Sequence, residues 1–255
     1  MTAPTTTTGR TRSPFVAIVR YTLRSCLPPK RWAAVLMACA GTILFGALAH
    51  ALNAPTEERA FANAAAEGIF SLMMPIAALV IGDAVLGAEV RGGTFHFTWL
   101  SPVPRWQIVI GRWIGGVIVA LVTITPATAL AAVVAGAPSS ARPAAIAAAV
   151  GSMSYIAVFI AIGCLTKRTA VWSLAFVFLI ERLLGAALTG IAQLSPMWES
   201  RAIFVGLLDD PPSRLVRDGI PDGTAAIVRL AVVAVVALVV ASWRMNHLRL
   251  SGPTD

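Results

Sequence analysis

Charge is scarce in this 255-residue chain. Only 13% of residues are Asp, Glu, Lys or Arg, while 57% are hydrophobic. A soluble domain carries about twice that share of charge. Lysine is nearly absent, with Lys30 and Lys167 alone, and neither follows a glycine. A phosphate-cradling loop of the GxxxxGK[ST] type is thereby excluded. The three cysteines, Cys26, Cys39 and Cys164, show no CxxC spacing and define neither a disulfide framework nor a metal motif. His50, His96 and His247 lie far apart. No HExxH and no GxSxG occurs, which argues against a zinc protease or a serine hydrolase of those patterns. No residue pattern marks the chain as an enzyme, and no metal or cofactor site is expected in it.

Long uncharged runs are what the chain has in quantity. About 20 apolar residues suffice to cross the hydrocarbon core as a helix. Residues 33–52, 113–135 and 144–165 each meet that length. Barrel strands would alternate with period two, and these runs do not. The predicted fold is all-α: a polytopic membrane protein with six transmembrane helices, preceded by an interfacial amphipathic helix. Residues 1–13 are Thr-rich and polar and are predicted to be a disordered tail. Residues 14–31 place Phe15, Ile18, Val19, Leu23 and Cys26 at helical spacing, with Arg20 and Arg24 on the other face, which suits a helix lying in the membrane interface. The six spans are predicted at about 32–52, 68–87, 108–135, 144–165, 170–194 and 224–243. Together they form a transmembrane domain over 32–243, with a tail at 244–255. Residues 57–67 read as a loop, and 195–223 as a polar, proline-rich segment outside the bilayer. Pro126 is expected to kink the third span. The first apolar run exceeds the length of a signal-peptide core and is expected to remain as an anchor.

A net charge of +8 would suggest nucleic acid in a soluble protein. Here the basic residues flank apolar runs, so nucleic acid is not expected. Of 20 Lys and Arg, five fall in the loops of one side (Arg59, Arg142, Arg201, Arg214, Arg217) and two within spans (Arg182, Arg229). The remainder flank the other side. The positive-inside rule then predicts that both termini and the 87–112 segment are cytoplasmic.

That segment runs GAEVRGGTFHFTWLSPVPRWQIVIGR from Gly87 to Arg112. Gly92 and Gly93 break the helix leaving the second span. Thr94 can cap a short new helix. Phe95, Phe97, Trp99 and Leu100 offer apolar surface, and Pro102 and Pro104 stop it. By residues alone, a docking element and an ordinary interfacial loop fit equally. The stretch resembles the cytoplasmic segment of ABC-2 type transporter permeases at Glu89, Gly93, Thr94, Leu100, Pro102, Arg105, Gly111 and Arg112. The last position is Arg where Lys is commoner. The resemblance implies a membrane subunit of an ABC exporter in a bacterial plasma membrane. It implies a separate cytoplasmic ABC ATPase that binds ATP and Mg, and a second permease copy or homologue. Glu89, Gly93, Thr94, Leu100, Pro102 and Arg105 would then couple the chain to the ATPase. A non-transporting membrane scaffold and an ion-coupled transporter are the alternatives.

Five residues are candidates for the substrate path: Met73, Met74, Phe178, Glu181 and Arg182. Methionines adapt to varied ligands, yet fill cores far more often. Charge inside a membrane is costly and faces a cavity or a partner. Glu181 lies eleven residues into the predicted fifth span, about 17 Å at 1.5 Å per residue. That places it near the middle of the bilayer. It pairs with a residue on a neighbouring helix, or stays protonated and hydrogen-bonded, or lies on the cavity wall and meets a cationic or polar substrate. Arg182 points about 100° away from it around the helix.

Overall fold

The computed structural model describes residues 14–26, 28–51, 56–87, 103–166, 168–216 and 223–247. The described residues are mostly helical. Helix α1 spans Pro14–Cys26, α2 Pro29–Ala51, α3 Glu57–Leu86, α4 Arg105–Val134, α5 Ala141–Leu165, α6 Thr169–Ala187, α7 Pro196–Gly206 and α8 Thr224–His247. All but α1 and α7 are long and apolar enough to cross a membrane, α5 together with the 3₁₀ turn before it. The chain is an all-α, multi-pass membrane protein. Residues 1–13, and most of the 87–112 segment with Glu89, Gly93, Thr94, Leu100 and Pro102, lie outside the described residues.

The predicted loop at 57–67 is instead the start of α3. The oxygen of Thr56 accepts from the Arg59 amide, and Glu57 and Glu58 occupy the first turn. A capping threonine followed by two acids favours the positive end of a helix. α3 is not regular throughout. Over Ala65–Met73 its turns widen to i→i+5, so that the Met74 amide reaches the Ile69 carbonyl. Pro75 follows directly and has no N–H for the ordinary i−4 partner. A widened turn at that point absorbs the mismatch. α4 continues through Pro126 as one helix of 30 residues.

Small residues let the helices approach. At Gly46 of α2 an added Cβ would strike the Ala131 carbonyl of α4, backbone against backbone. Such contacts are how membrane helices gain packing without a hydrophobic drive between them. Gly111 and Gly115, four residues apart on α4, receive Ile18 and Thr22, four apart on α1. This seats α1 across the start of α4, leaving Arg20 and Arg24 exposed.

The fifth span ends earlier than the apolar run suggested. α6 stops at Ala187, and Leu188 is extended. The segment that follows is not a polar loop. It contains α7, whose Met197, Glu199, Ile203 and Phe204 are all buried. Phe204 packs against Phe61 and Phe70 of α3, with ring centroids 6.1 and 5.3 Å away. Ser200 of α7 abuts Gly151 of α5. Gly151 is ten residues, about 15 Å of helix, beyond Ala141. So α7 dips into the bundle at the end opposite α1.

Candidate functional site

A helix that starts inside a bundle must satisfy its first amides without water. α7 does this with its own Ser195 and with Glu181 of α6. Ser195 Oγ accepts from the Trp198 amide at 3.4 Å. The Met197 amide donates to Glu181 Oε1 at 3.0 Å, and Ser195 Oγ donates to the same oxygen at 2.7 Å. Tyr155 of α5 donates to Glu181 Oε2 at 2.6 Å. Trp198 Nε1 donates to the Glu181 carbonyl at 3.1 Å. Glu181 is 0% exposed. Its carboxyl thus faces the positive end of α7, ringed by three donors.

Glu181 sits where α6 itself is widened, over Phe176–Leu184, with the Gly185 amide reaching the Ile180 carbonyl. It is six residues, about 9 Å, short of the end of α6 rather than at mid-span. The shift follows from the earlier stop of α6.

The five path candidates do not converge. Met73 faces Gly41 of α2, while Met74 is buried against Gly151 of α5. Phe178 lies on the exposed side of α6, and Glu181 points inward. Arg182 alone of the five lines a polar cavity of about 320 Å³ between α3, α6, α7 and the 3₁₀ turn Ser213–Leu215. Glu67, Arg201 and Arg214 line the same cavity. Arg201 is ion-paired to Glu67 at 3.1 Å and lies over the Trp198 ring at 4.6 Å. Arg214 donates from Nε to Asn63 Oδ1 at 2.7 Å. Sequence reasoning missed Tyr155, Ser195, Met197, Arg201 and Arg214. Ser195-Pro196 was a legible start signal, a capping serine followed by proline at the first helical position.

A second buried acid belongs to α7. Glu199 is 0% exposed and lies 3.6 Å from Arg229 Nη1 of α8. Burial pushes its carboxyl up to about 7, and the Arg229 charge opposes that rise.

At the α1 end, Arg112 of α4 is 3% exposed and donates to the Val85 carbonyl of α3 at 2.6 Å. It thereby ties α4 to the last turn of α3, just before the undescribed segment. Arg105 donates to the Asn246 carbonyl at 3.0 Å, fastening the start of α4 to the end of α8. Of the six predicted coupling residues, Arg105 is the one among the described residues.

Among the described residues no cluster of His, Cys, Asp or Glu is placed to hold a metal ion. The sequence model of a family described as "ABC-2 family transporter protein" matches residues 36–201, from within α2 to the middle of α7. No curated protein matches the chain.

Proposed function

The chain belongs to the ABC-2 family of transporter proteins, and from that premise we propose that it is the membrane subunit of an ATP-driven exporter served by a separate cytoplasmic ATPase. It is a multi-pass membrane permease of an ABC-type transporter. The observation that carries the finer reading is the match itself, which spans five of the six membrane-crossing helices of a chain with no Walker-type loop. ATP and Mg are therefore assigned to a partner ABC ATPase.

The Lys and Arg asymmetry supports a cytoplasmic position for the α1 end, and the family resemblance supports a bacterial plasma membrane. The coupling surface is then the segment bearing Glu89, Gly93, Thr94, Leu100 and Pro102, continued by Arg105. Arg105 and Arg112 support this role, since they fasten both flanks of that segment to the bundle. A second permease copy completes the path. α6 supports this, because it exposes Val171, Trp172, Phe178, Leu179 and Leu183 along one apolar side. Phe178 and Arg182 on α6 would face that path. Met73, Met74 and Glu181 would shape its wall from behind.

Purification of the tagged chain from its native membrane tests this reading. An ABC ATPase should copurify, and its hydrolysis should depend on the permease. Purification with no ATPase, or hydrolysis indifferent to the chain, would overturn it in favour of a scaffold or an ion-coupled transporter.

A further inference from the structure

We propose that the cavity lined by Arg182, Arg201 and Arg214 is a binding site for an anionic oxygen group, a phosphate or carboxylate. Three arginines and one acid, Glu67, line the same cavity of about 320 Å³. Two of the three are held in place. Arg201 is clamped between Glu67 and the Trp198 ring, with its side chain 11% exposed. Arg214 is fixed by Asn63. Arg182 has no partner among the described residues. A guanidinium offers five donors in a planar fork that fits carboxylate and phosphate oxygens. One Glu67 carboxylate cannot answer all of those donors, so the cavity carries an excess of positive charge.

The excess is built by tertiary packing. Glu67 comes from α3, Arg182 from α6, Arg201 from α7 and Arg214 from the turn after it. Glu181, the neighbouring acid, does not neutralise the cavity. Its two oxygens are taken up by Tyr155, Ser195 and the Met197 amide on the buried side of α6. The two adjacent charges of α6 thus separate: the acid braces the helices and the base faces the cavity. The site therefore selects an anion, not a cation. The cavity lies toward the end of the bundle opposite α1, so the group can arrive on a lipid headgroup or on a soluble molecule. The chemistry is the same for both.

The test uses the purified full chain in neutral detergent, with binding followed by calorimetry. The probes are inorganic phosphate, dihexanoyl phosphatidylglycerol and the zwitterionic dihexanoyl phosphatidylcholine. Arg182→Gln is the informative variant, because that side chain is exposed and bonds to no described residue. Arg214→Gln is the second. Saturable binding of phosphatidylglycerol at least about tenfold tighter than phosphatidylcholine, with phosphate inert, identifies a lipid headgroup. Saturable binding of phosphate itself identifies a soluble anion. In either case each variant should weaken binding about tenfold or more, as loss of one charge-assisted hydrogen bond does, and added salt should weaken it further. The proposal fails if neither anion binds saturably, if phosphatidylcholine binds as well as phosphatidylglycerol while phosphate does not bind, or if both variants match the parent. None of these results depends on the partner ATPase.

Discussion

The Tyr155 hydroxyl sits 2.6 Å from Glu181 Oε2, joining α5 to α6 where both are fully buried. Tyr155 is itself stacked on Phe159, with ring centroids 5.4 Å apart, which holds the ring that carries the donor in place. Through Glu181 the contact extends to the first turn of α7. Two helices and a re-entrant segment are thus held by one carboxyl.

Removing that carboxyl should destabilise the fold more than removing any one donor. Tyr155→Phe is expected to lower stability by about 1–3 kcal/mol, the range for one orphaned buried group. Glu181→Ala leaves three donors without their acceptor and should lower it further. The double variant should fall short of the sum, because the two residues share one network. Thermal unfolding in detergent measures all three. Strict additivity would show that the tyrosine and the acid act independently. Glu181→Gln keeps the shape while deleting the charge, so a folded variant with altered transport would point to a path role instead.

Loss of Arg112 should be felt at the coupling segment. The residue fastens the Val85 carbonyl, three residues before the undescribed stretch begins. Arg112→Ala leaves that carbonyl buried without this donor, and a cost of about 2–4 kcal/mol is expected. We expect the purified variant to retain less ATPase and to stimulate hydrolysis less. Arg20→Gln, on the exposed face of α1, should by contrast leave stability within about 0.5 kcal/mol of the parent. Equal stability of the two variants would remove the structural role of Arg112.

Glu199 makes stability depend on pH. Its folded value is about 7 and its unfolded value is the ordinary carboxylate one near 4.5. Between those values the folded state binds more protons than the unfolded state. Stability should therefore be greatest below about 4.5, fall as pH rises toward 7, and level off above it. The span corresponds to about 3 kcal/mol. Glu199→Gln should flatten this part of the profile, with its largest relative gain at pH 8 and none near pH 4. Melting temperature against pH, for the parent and the variant, checks the sign. A parent that grows more stable from pH 5 to 7, with the variant unchanged, would reverse it.

Sidedness is open to direct labelling. In a background lacking the native cysteines, single cysteines at Thr5 and Thr98 should resist an impermeant thiol reagent added to intact cells. One at Ser213, an exposed residue in the turn after α7, should react. Labelling at Thr98 from outside would invert the orientation drawn from the Lys and Arg distribution.

The spans could be read directly from the sequence because each is a run of about 20 apolar residues, a local property that needs no knowledge of neighbours. The start of α3 carries a sequence signal in Thr56-Glu57-Glu58, but the polarity of residues 57–67 gives them the look of a loop. α7 was not legible as a buried element. Eleven residues carrying Glu199, Ser200 and Arg201 are too short and too polar to stand out as a membrane helix. Only its Ser-Pro start marked it.

The candidate site divides in the same way. Sequence alone singled out Glu181 and Arg182, because adjacent charges inside an apolar run demand partners. It could not say which partners, since Tyr155 and Ser195 lie 26 and 14 residues from Glu181 and meet it only when three helices close. Nor could it bring Arg201 and Arg214 beside Arg182, for in sequence they are loop arginines. Apolar length determined that the chain crosses the membrane and about where. Tertiary packing decided which charge is buried as a brace and which is left facing a cavity, because one step around the widened turn of α6 carries one residue toward α5 and α7 and the next away from them.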